Sequence, residues 1–239
     1  MNDTTWLKDG LIAHRGLHTN DFPENTTGAF LNAVRNGYDI ELDVRMTKDG
    51  KLIVIHDDNL NRLCQIASNV KDLKYDELKS YKILHTTETI PLLSDVLEII
   101  PTTTRLLIEL KSSKNNKKLV SSFFKIMHRY NHSYAVHSFS PYIVYLTKNI
   151  NPKIARGQIS KKYKFSPMGF LLARLSFNVF TKPDCITYKF ADLPYLKLDK
   201  LKLKGMTVIS YTVTNEQDLI FVKSRYHNAV FEDFLPKIK

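Results

Sequence analysis

Short apolar runs alternate with longer amphipathic stretches along most of the chain. Residues 11–13 and 105–110 are apolar enough for buried strands, whereas residues 25–36 have the apolar spacing of a helix that Asn25 or Thr26 would cap. Further strand-like runs lie at residues 39–45, 51–57, 134–139, 153–159, 185–190, 206–213 and 228–234, and further helix-like stretches lie at 118–130 and 216–224. This alternation is typical of a fold in which helices connect parallel strands.

The second strand-like run predicts a hairpin. Residues 39–45 alternate polar with apolar side chains, and Lys48-Asp49-Gly50 forms a turn signal before residues 51–57. We therefore expect the 51–57 run to pair antiparallel with the 39–45 run. The eight remaining runs predict an α/β fold, a closed TIM (β/α)8 barrel with this antiparallel partner after its second strand.

Nothing in the sequence divides the chain into separate parts. It has no Pro/Gly-rich linker, no low-complexity tract and no internal repeat, so we expect a single domain over residues 1–239. The runner-up architecture is an open doubly wound sheet. It is disfavoured because neither a G-x-G-x-x-G nor a P-loop pattern follows any strand-like run.

Composition narrows the class of protein. Hydrophobic residues make up 43% of the chain, too many for a disordered protein, and two cysteines are too few for a disulfide scaffold or a four-thiolate zinc site. Neither an apolar leader nor a run long enough to span a membrane occurs, so we expect a cytoplasmic protein. The net charge of +11 predicts an anionic partner: nucleic acid, an anionic membrane or a phosphorylated substrate.

Acidic side chains mark two of the strand-like runs. Glu41 and Asp43 are two residues apart, so both point to the same face of a strand. In a barrel this face is the interior or its mouth, where two desolvated carboxylates repel each other. Glu109 supplies a third carboxylate from another strand, and Lys111 shares its face. A cation held by oxygen ligands alone is Mg²⁺ or Ca²⁺ rather than Zn²⁺.

A simpler interpretation makes these acids structural, either exposed at strand ends or paired with Arg15, Arg45 and Lys111. It is disfavoured because other chemically active residues end the same strands. His14 follows the first strand-like run and His56 lies at the end of the hairpin partner. Since histidine titrates near neutral pH, these two residues are candidates for an acid and a base.

Motifs follow one another over nearly the whole chain. The first half contains His14-Arg15-Gly16, Pro23-Glu24-Asn25-Thr26, Glu41-x-Asp43, Thr47-Lys48-Asp49-Gly50, His56-Asp57, Leu60-x-Arg62 and Ile108-Glu109-Leu110-Lys111. Later motifs are Ser138-Phe139, Tyr211-Thr212-Val213-Thr214-Asn215 and Asp233-Phe234-Leu235-Pro236. In this order and spacing the motifs resemble those of the glycerophosphodiester phosphodiesterase family.

The resemblance implies a fold, an activity and a set of site residues. The family is similar to a TIM barrel and hydrolyses glycerophosphodiesters to glycerol 3-phosphate and an alcohol with a divalent cation, here Mg²⁺ or Ca²⁺. By this resemblance the metal ligands are Glu41, Asp43 and Glu109, the acid–base pair is His14 and His56, and the substrate-binding residues are Arg15, Lys111 and Tyr211. Tyr211 stands where the family usually has tryptophan, which implies an altered substrate preference.

Two further functions would use the same residues. A lysophospholipase D-like enzyme would release the head group of a lysophospholipid, and a non-catalytic barrel would bind a phospholipid or phosphodiester without turnover. The intact catalytic candidates favour an enzyme, a phosphoric diester hydrolase. Because no nucleic-acid-binding motif occurs in the sequence, we expect a small-molecule phosphodiester substrate and no nucleic acid.

One segment concentrates both basic and apolar residues. Residues 151–204 contain 12 lysines and arginines against 3 aspartates, a net charge of +9 out of the chain's +11. Within this segment, residues 165–180 are rich in large apolar side chains but too short to span a membrane. They form either a barrel helix with a broad buried face or an apolar lip that docks on a membrane or receives an acyl chain. The second interpretation would bring a cytoplasmic protein into peripheral contact with an anionic membrane.

Overall fold

Strands and helices alternate through residues 3–163 and 166–238, the part of the chain that the computed structural model describes. The strands there are β1 (Ile12–Ala13), β2 (Asp39–Met46), β3 (Leu52–Val54), β4 (Leu106–Leu110), β5 (Tyr134–Ser138), β6 (Arg156–Ser160), β7 (Cys185–Lys189), β8 (Thr207–Val213) and β9 (Asn228–Phe231). The helices there are α1 (Trp6–Asp9), α2 (Thr27–Arg35), α3 (Asn61–Cys64), α4 (Tyr75–Leu78), α5 (Leu93–Ile99), α6 (Asn116–Met127), α7 (Pro141–Ile150), α8 (Pro167–Ala173), α9 (Asn178–Thr181), α10 (Leu196–Leu203) and α11 (Glu216–Arg225). Single 3-10 turns occur at Val70–Asp72 and Phe190–Asp192.

Every strand-like run of the sequence corresponds to a strand, with ends that shift by up to three residues. The run at 153–159 begins at Arg156, and the run at 228–234 ends at Phe231. The helix expected at 25–36 is α2, and its N-cap is Thr26, whose side chain accepts a hydrogen bond from the backbone N–H of Ala29. The periodicity therefore identifies the elements, while local capping sets their ends.

The chain forms two compact units, each described by its own contacts. The first unit, Ala13–Tyr134, is organised around β2. β2 pairs in parallel with β4, with Asp43 opposite Glu109, and antiparallel with β3, with Val44 opposite Val54. The predicted hairpin partner is therefore confirmed. This register brings the acidic positions of β2 beside the acidic position of β4.

A cluster of apolar side chains holds the segment that follows β3 in the first unit. Its buried members are Ile53, Ile55, Leu60, Leu63, Val70, Leu78, Ile83 and Ile90. These residues come from β3, from the short helices after it and from the loops between them, so their burial fixes the chain on both sides of His56. The apolar cluster thereby holds the segment that contains His56 in a defined position.

The second unit comprises the described parts of residues 1–12 and 135–239. Its strands β5, β6, β7, β8 and β9 pair in parallel in chain order. α1 is tied to this sheet by the side chain of Asn228 in β9, which donates a hydrogen bond to the backbone carbonyl of Leu7 at 3.0 Å. A side chain at Gly157 in β6 would lie 2.8 Å from Cys185 Sγ in β7, so glycine is required at this close approach of two strands.

The order of these elements is that of the predicted TIM (β/α)8 barrel, with eight parallel strands in the described part of the chain and β3 added after β2. A single domain over residues 1–239 stays a prediction. Among the helices of the described residues, none combines the length and the apolarity needed to span a bilayer.

Candidate active site

Three carboxylates lie together on neighbouring strands of the first unit. Glu41 and Asp43 on β2 and Glu109 on β4 are 3%, 1% and 6% exposed. Each offers an oxygen atom, and these atoms all lie within 4.8 Å of one another. The predicted cluster is thus brought together by the parallel register of β2 and β4.

Two cations partly compensate the charge of this cluster. Lys111 Nζ lies 2.9 Å from Asp43 Oδ1 and 2.8 Å from Glu109 Oε2, and Arg15 Nε lies 3.3 Å from Asp43 Oδ2. The backbone N–H of Arg15 donates to Glu41 Oε2 at 3.1 Å. The ion pairs with Arg15 and Lys111 that belong to the simpler structural interpretation are therefore present, whereas Arg45 donates from Nε to the backbone carbonyl of His56 at 2.8 Å.

These contacts set the ionisation of the buried groups. Burial would raise the pKa of Asp43, but the charges of Lys111 and then Arg15 outweigh it and hold this pKa well below its usual range. Burial would likewise lower the pKa of Lys111, but Asp43 and Glu109 raise it above its usual value. Both partners of the Asp43–Lys111 pair are therefore charged at neutral pH.

The donor set of this cluster fits a hard divalent cation. Three carboxylates face two cationic side chains, which leaves one formal negative charge in a buried setting. Carboxylate oxygens are the ligands that Mg²⁺ and Ca²⁺ take in proteins, and Zn²⁺ prefers nitrogen or sulfur. Glu41, Asp43 and Glu109 are therefore the residues that could hold such an ion.

Both candidate histidines lie in the first unit near acidic groups. His14 Nε2 is 4.0 Å from Glu41 Oε2. His56 Nδ1 is 2.7 Å from Asp57 Oδ1, and its pKa is lowered by burial, against the opposing charge of Asp43. A neutral His56 that donates from Nδ1 to Asp57 presents Nε2 as a proton acceptor.

The turn that carries His14 and Arg15 depends on a glycine. Gly16 has φ +80°, and a Cβ atom there would meet the backbone of Ala29 in α2 at 2.8 Å. Arg15 itself has φ +56°. Two successive residues with positive φ turn the chain sharply. The His14-Arg15-Gly16 motif therefore places the side chains of His14 and Arg15 at a tight turn directly after β1.

Asn25 contributes to the site in a way that the sequence did not predict. Asn25 and Thr26 are alternative helix caps by sequence, and Thr26 has that role. Asn25 is instead 1% exposed and contacts Asp43 twice. Its Nδ2 donates to Asp43 Oδ2 at 2.9 Å, and its Oδ1 accepts from the backbone N–H of Asp43 at 3.2 Å. It therefore orients one of the three carboxylates.

A chain of ion pairs links the two histidine-bearing segments. Glu24 Oε1 accepts from Arg15 Nη1 at 2.7 Å, and both Glu24 oxygens accept from Arg62. Arg62 Nε also donates to Asp57 Oδ2 at 2.6 Å, and the other Asp57 oxygen holds His56. In the sequence, Glu24, Asp57 and Arg62 stand out only as parts of motifs. Their function in orienting other residues is evident from these contacts alone.

Tyr211 lies on β8 in the second unit. Its ring stands edge-on to that of Phe139, with centroids 5.9 Å apart, and its hydroxyl donates to the backbone carbonyl of Ser160 at 3.2 Å. The ring is therefore fixed at both ends. Its contact with substrate stays a prediction.

A basic cavity borders Lys111 in the first unit. It has a volume of about 170 Å³. Its charged lining residues are Arg45, Asp58, Lys71, Lys111 and Lys114. Four cations and one carboxylate give this cavity the charge that an anionic ligand needs.

Comparison with known proteins finds relatives over nearly the whole chain. A sequence model of the Glycerophosphoryl diester phosphodiesterase family matches residues 14–237. A glycerophosphodiester phosphodiesterase of Bacillus altitudinis is 46% identical over 112 residues, which are 43% of this chain and 45% of the relative. This match therefore spans less than half the length of that relative.

Two longer matches cover most of the chain. A glycerophosphodiester phosphodiesterase of Caldanaerobacter subterraneus is 29% identical over 226 residues, 89% of each chain. The solved structure of an Oleispira antarctica phosphodiesterase in complex with the product sn-glycerol-3-phosphate has a TM-score of 0.84 at 22% identity and covers 95% of this chain and 94% of its own. At this identity the structural likeness concerns the fold.

Proposed function

Because the chain belongs to the glycerophosphoryl diester phosphodiesterase family, we propose that it hydrolyses glycerophosphodiesters to sn-glycerol 3-phosphate and an alcohol. The observation that carries this proposal is the buried cluster of Glu41, Asp43 and Glu109, which lies beside two cations and two histidines. Such a cluster meets the needs of a reaction on a charged phosphodiester, which demands charge neutralisation and proton transfer.

The three carboxylates of this cluster would hold the cation. Glu41, Asp43 and Glu109 each present a carboxylate oxygen to the others, and Asn25 fixes the orientation of Asp43. A bound Mg²⁺ or Ca²⁺ supplies Lewis-acid polarisation of a phosphoryl oxygen. Lys111 forms ion pairs with both Asp43 and Glu109, and its charge holds the pKa of Asp43 well below its usual range in spite of burial, so that this carboxylate is charged and able to bind a cation.

Arg15 and Lys111 are the residues that would bind the phosphate. Both remain protonated, because the pKa of each is raised by the acidic groups around it in spite of burial. Their positive charges offset the negative charge that repels an attacking oxygen, and they stabilise the additional charge of the transition state. The other cationic residues of the basic cavity beside Lys111 would attract the anionic substrate to this side of the site.

His14 and His56 would transfer the protons. One imidazole would accept the proton of the neighbouring glycerol hydroxyl as its oxygen forms a new P–O bond, and the other would donate a proton to the alcohol oxygen as the old P–O bond breaks. Water would then open the resulting cyclic phosphate to glycerol 3-phosphate, as the family resemblance implies. The Asp57 carboxylate holds His56 through Nδ1, which leaves Nε2 for this transfer. Tyr211 would bind the substrate, as its place in the family motif implies.

The proposal is tested by the appearance of glycerol 3-phosphate when the purified protein is incubated with glycerophosphocholine and Mg²⁺ or Ca²⁺. We expect turnover, and we expect His56→Ala to lower kcat by at least about 10²-fold, the usual contribution of a general acid or base. His128→Ala is the matched control, because His128 is an exposed histidine of the same unit and should leave kcat unchanged. A folded His56→Ala protein with wild-type kcat would remove this residue from the mechanism.

A second substrate distinguishes the proposed function from its rivals. We expect lysophosphatidylcholine to be hydrolysed more slowly than glycerophosphocholine, since seven of the nine residues that line the basic cavity are charged or polar. Faster hydrolysis of the lysophospholipid would identify a lysophospholipase D-like enzyme instead. Binding of either compound without product would identify a non-catalytic barrel.

A further inference from the structure

The apolar segment between β6 and β7 is exposed over most of its described length. Among large apolar side chains of α8 and α9, Val179 is 74% exposed and Phe180 is 67% exposed. Met168, Phe170 and Leu171 are 57%, 56% and 40% exposed, and we call these five residues the α8–α9 surface. Phe165, the first residue of the predicted apolar segment, and Lys164 lie outside the described residues.

This exposure decides between the two interpretations of the segment. A barrel helix with a broad buried face would bury Phe170 and Leu171, yet Gly169 is the buried residue of α8. The buried-helix interpretation is therefore wrong for these positions. Large apolar side chains that are exposed at a surface favour contact with another apolar phase.

Cationic groups are interspersed with the apolar side chains. The Arg174 guanidinium lies 4.8 Å from the centroid of the Phe170 ring. Lys148 Nζ donates to the backbone carbonyl of Phe180 at 2.8 Å and lies 5.5 Å from the centroid of the Tyr145 ring. The exposed aromatic side chains thus have a positive charge nearby, as at the boundary between lipid tails and head groups.

The surrounding sequence is strongly basic. From residue 135 to residue 183 the chain has eight lysines and arginines and no aspartate or glutamate, and one of the eight, Arg156, is buried and paired with Asp184. The other seven cationic residues are attracted to a surface of negative charge. The positive charge therefore favours an anionic surface over the uncharged apolar partners that the side chains alone could also contact.

We propose that the α8–α9 surface docks on an anionic lipid bilayer, with Phe170, Val179 and Phe180 inserted at the level of the head groups and with Arg174 and Lys148 beside anionic lipids. This arrangement needs both the apolar contact and the charge, since either one alone binds a membrane weakly and reversibly. It would bring the protein to a membrane surface without any spanning helix among the described residues.

Sedimentation with large unilamellar vesicles tests this inference. At 50 mM salt we expect the wild-type protein to bind vesicles of phosphatidylcholine that contain about 30% phosphatidylglycerol, an anionic lipid that gives the surface a negative charge. It should stay in solution with vesicles of phosphatidylcholine alone. Phe180→Ser should weaken binding at least about fivefold through lost apolar contact, and Arg174→Gln by about fivefold, the contribution of one cation near such a surface.

Ile220→Ser is the matched control, because Ile220 on α11 is 49% exposed in the same unit and lies outside the proposed surface. It should bind like the wild type. Failure of the wild type to bind anionic vesicles at low salt would overturn the inference, and so would equal binding by Phe180→Ser and Ile220→Ser. A lipid-free dimer that Phe180→Ser converts to monomer would also overturn it, since a second copy of the chain would then cover this surface.

Discussion

Replacement of Lys111 by methionine is the sharpest perturbation of the candidate site. Lys111 Nζ is 2.9 Å from Asp43 and 2.8 Å from Glu109, and the three side chains are at most 9% exposed. Methionine has nearly the same length but no charge. Lys111→Met therefore leaves the cavity filled while it removes the cation that compensates two buried carboxylates.

The magnitude follows from the cost of an unpaired buried charge. Removal of one partner from a buried ion pair destabilises a protein by about 3–5 kcal/mol. For a chain of this length, 1 kcal/mol corresponds to roughly 2–4 °C in Tm, so the metal-free variant should melt roughly 6–20 °C below the metal-free wild type. A bound divalent cation would replace the missing charge, so saturating Mg²⁺ or Ca²⁺ should raise the Tm of the variant more than that of the wild type.

Thermal denaturation with and without metal measures both effects. Lys114→Met is the control, because Lys114 is an exposed lysine of the same loop and loses the same charge without a buried partner. Its Tm should lie within about 2 °C of the wild type, as expected for a surface substitution. A wild-type Tm for metal-free Lys111→Met would refute the charge compensation. An equal metal-induced rise in both proteins would refute binding of the cation at these carboxylates.

Three further outcomes are expected from the same structure. Burial lowers the pKa of His56, so this residue stays neutral to lower pH than an ordinary histidine. If His56 acts as the base, the acidic limb of kcat/KM against pH should therefore have its midpoint below 6.5. A midpoint above 6.5 would contradict this assignment. Arg62→Gln should lower kcat about tenfold because Asp57 and Glu24 lose the cation that they share. Arg62→Lys should recover part of this loss. A wild-type kcat for Arg62→Gln would show that the chain of ion pairs does not orient the catalytic residues. Calorimetry should show one cooperative unfolding transition if residues 1–239 form a single domain, whereas two separate transitions would mean two domains.

The strands and their acidic residues were predictable because the relevant signals are local. The alternation of polar and apolar positions at 39–45 is visible in the sequence, and it places Glu41 and Asp43 on one face of β2. The Asp49-Gly50 turn likewise predicts the antiparallel partner β3, which is confirmed. The position of Glu109 at the end of another strand-like run added the third carboxylate, and the motif resemblance implied the same three ligands.

The contacts that orient the site were not predictable, because they depend on distant parts of the chain. Glu24 and Arg62 are 38 residues apart, and a sequence pattern does not place their side chains within 2.7 Å. Asn25 looks like a helix cap by every local criterion, and its pairing with Asp43 depends on the turn before α2. The exposure of Phe180 was not predictable for a similar reason, because an apolar pattern does not show whether another surface covers the side chain.

The most direct test of the proposed phosphodiesterase is its dependence on a divalent cation. Release of glycerol 3-phosphate from glycerophosphocholine is measured with protein freed of metal by a chelator, before and after addition of Mg²⁺ or Ca²⁺. With Glu41, Asp43 and Glu109 as the only ligands that the chain supplies in this proposal, we expect no release in the chelator and full recovery with one of the two ions. An undiminished rate in the chelator would contradict the metal site, and no release with either ion would contradict the proposed hydrolysis.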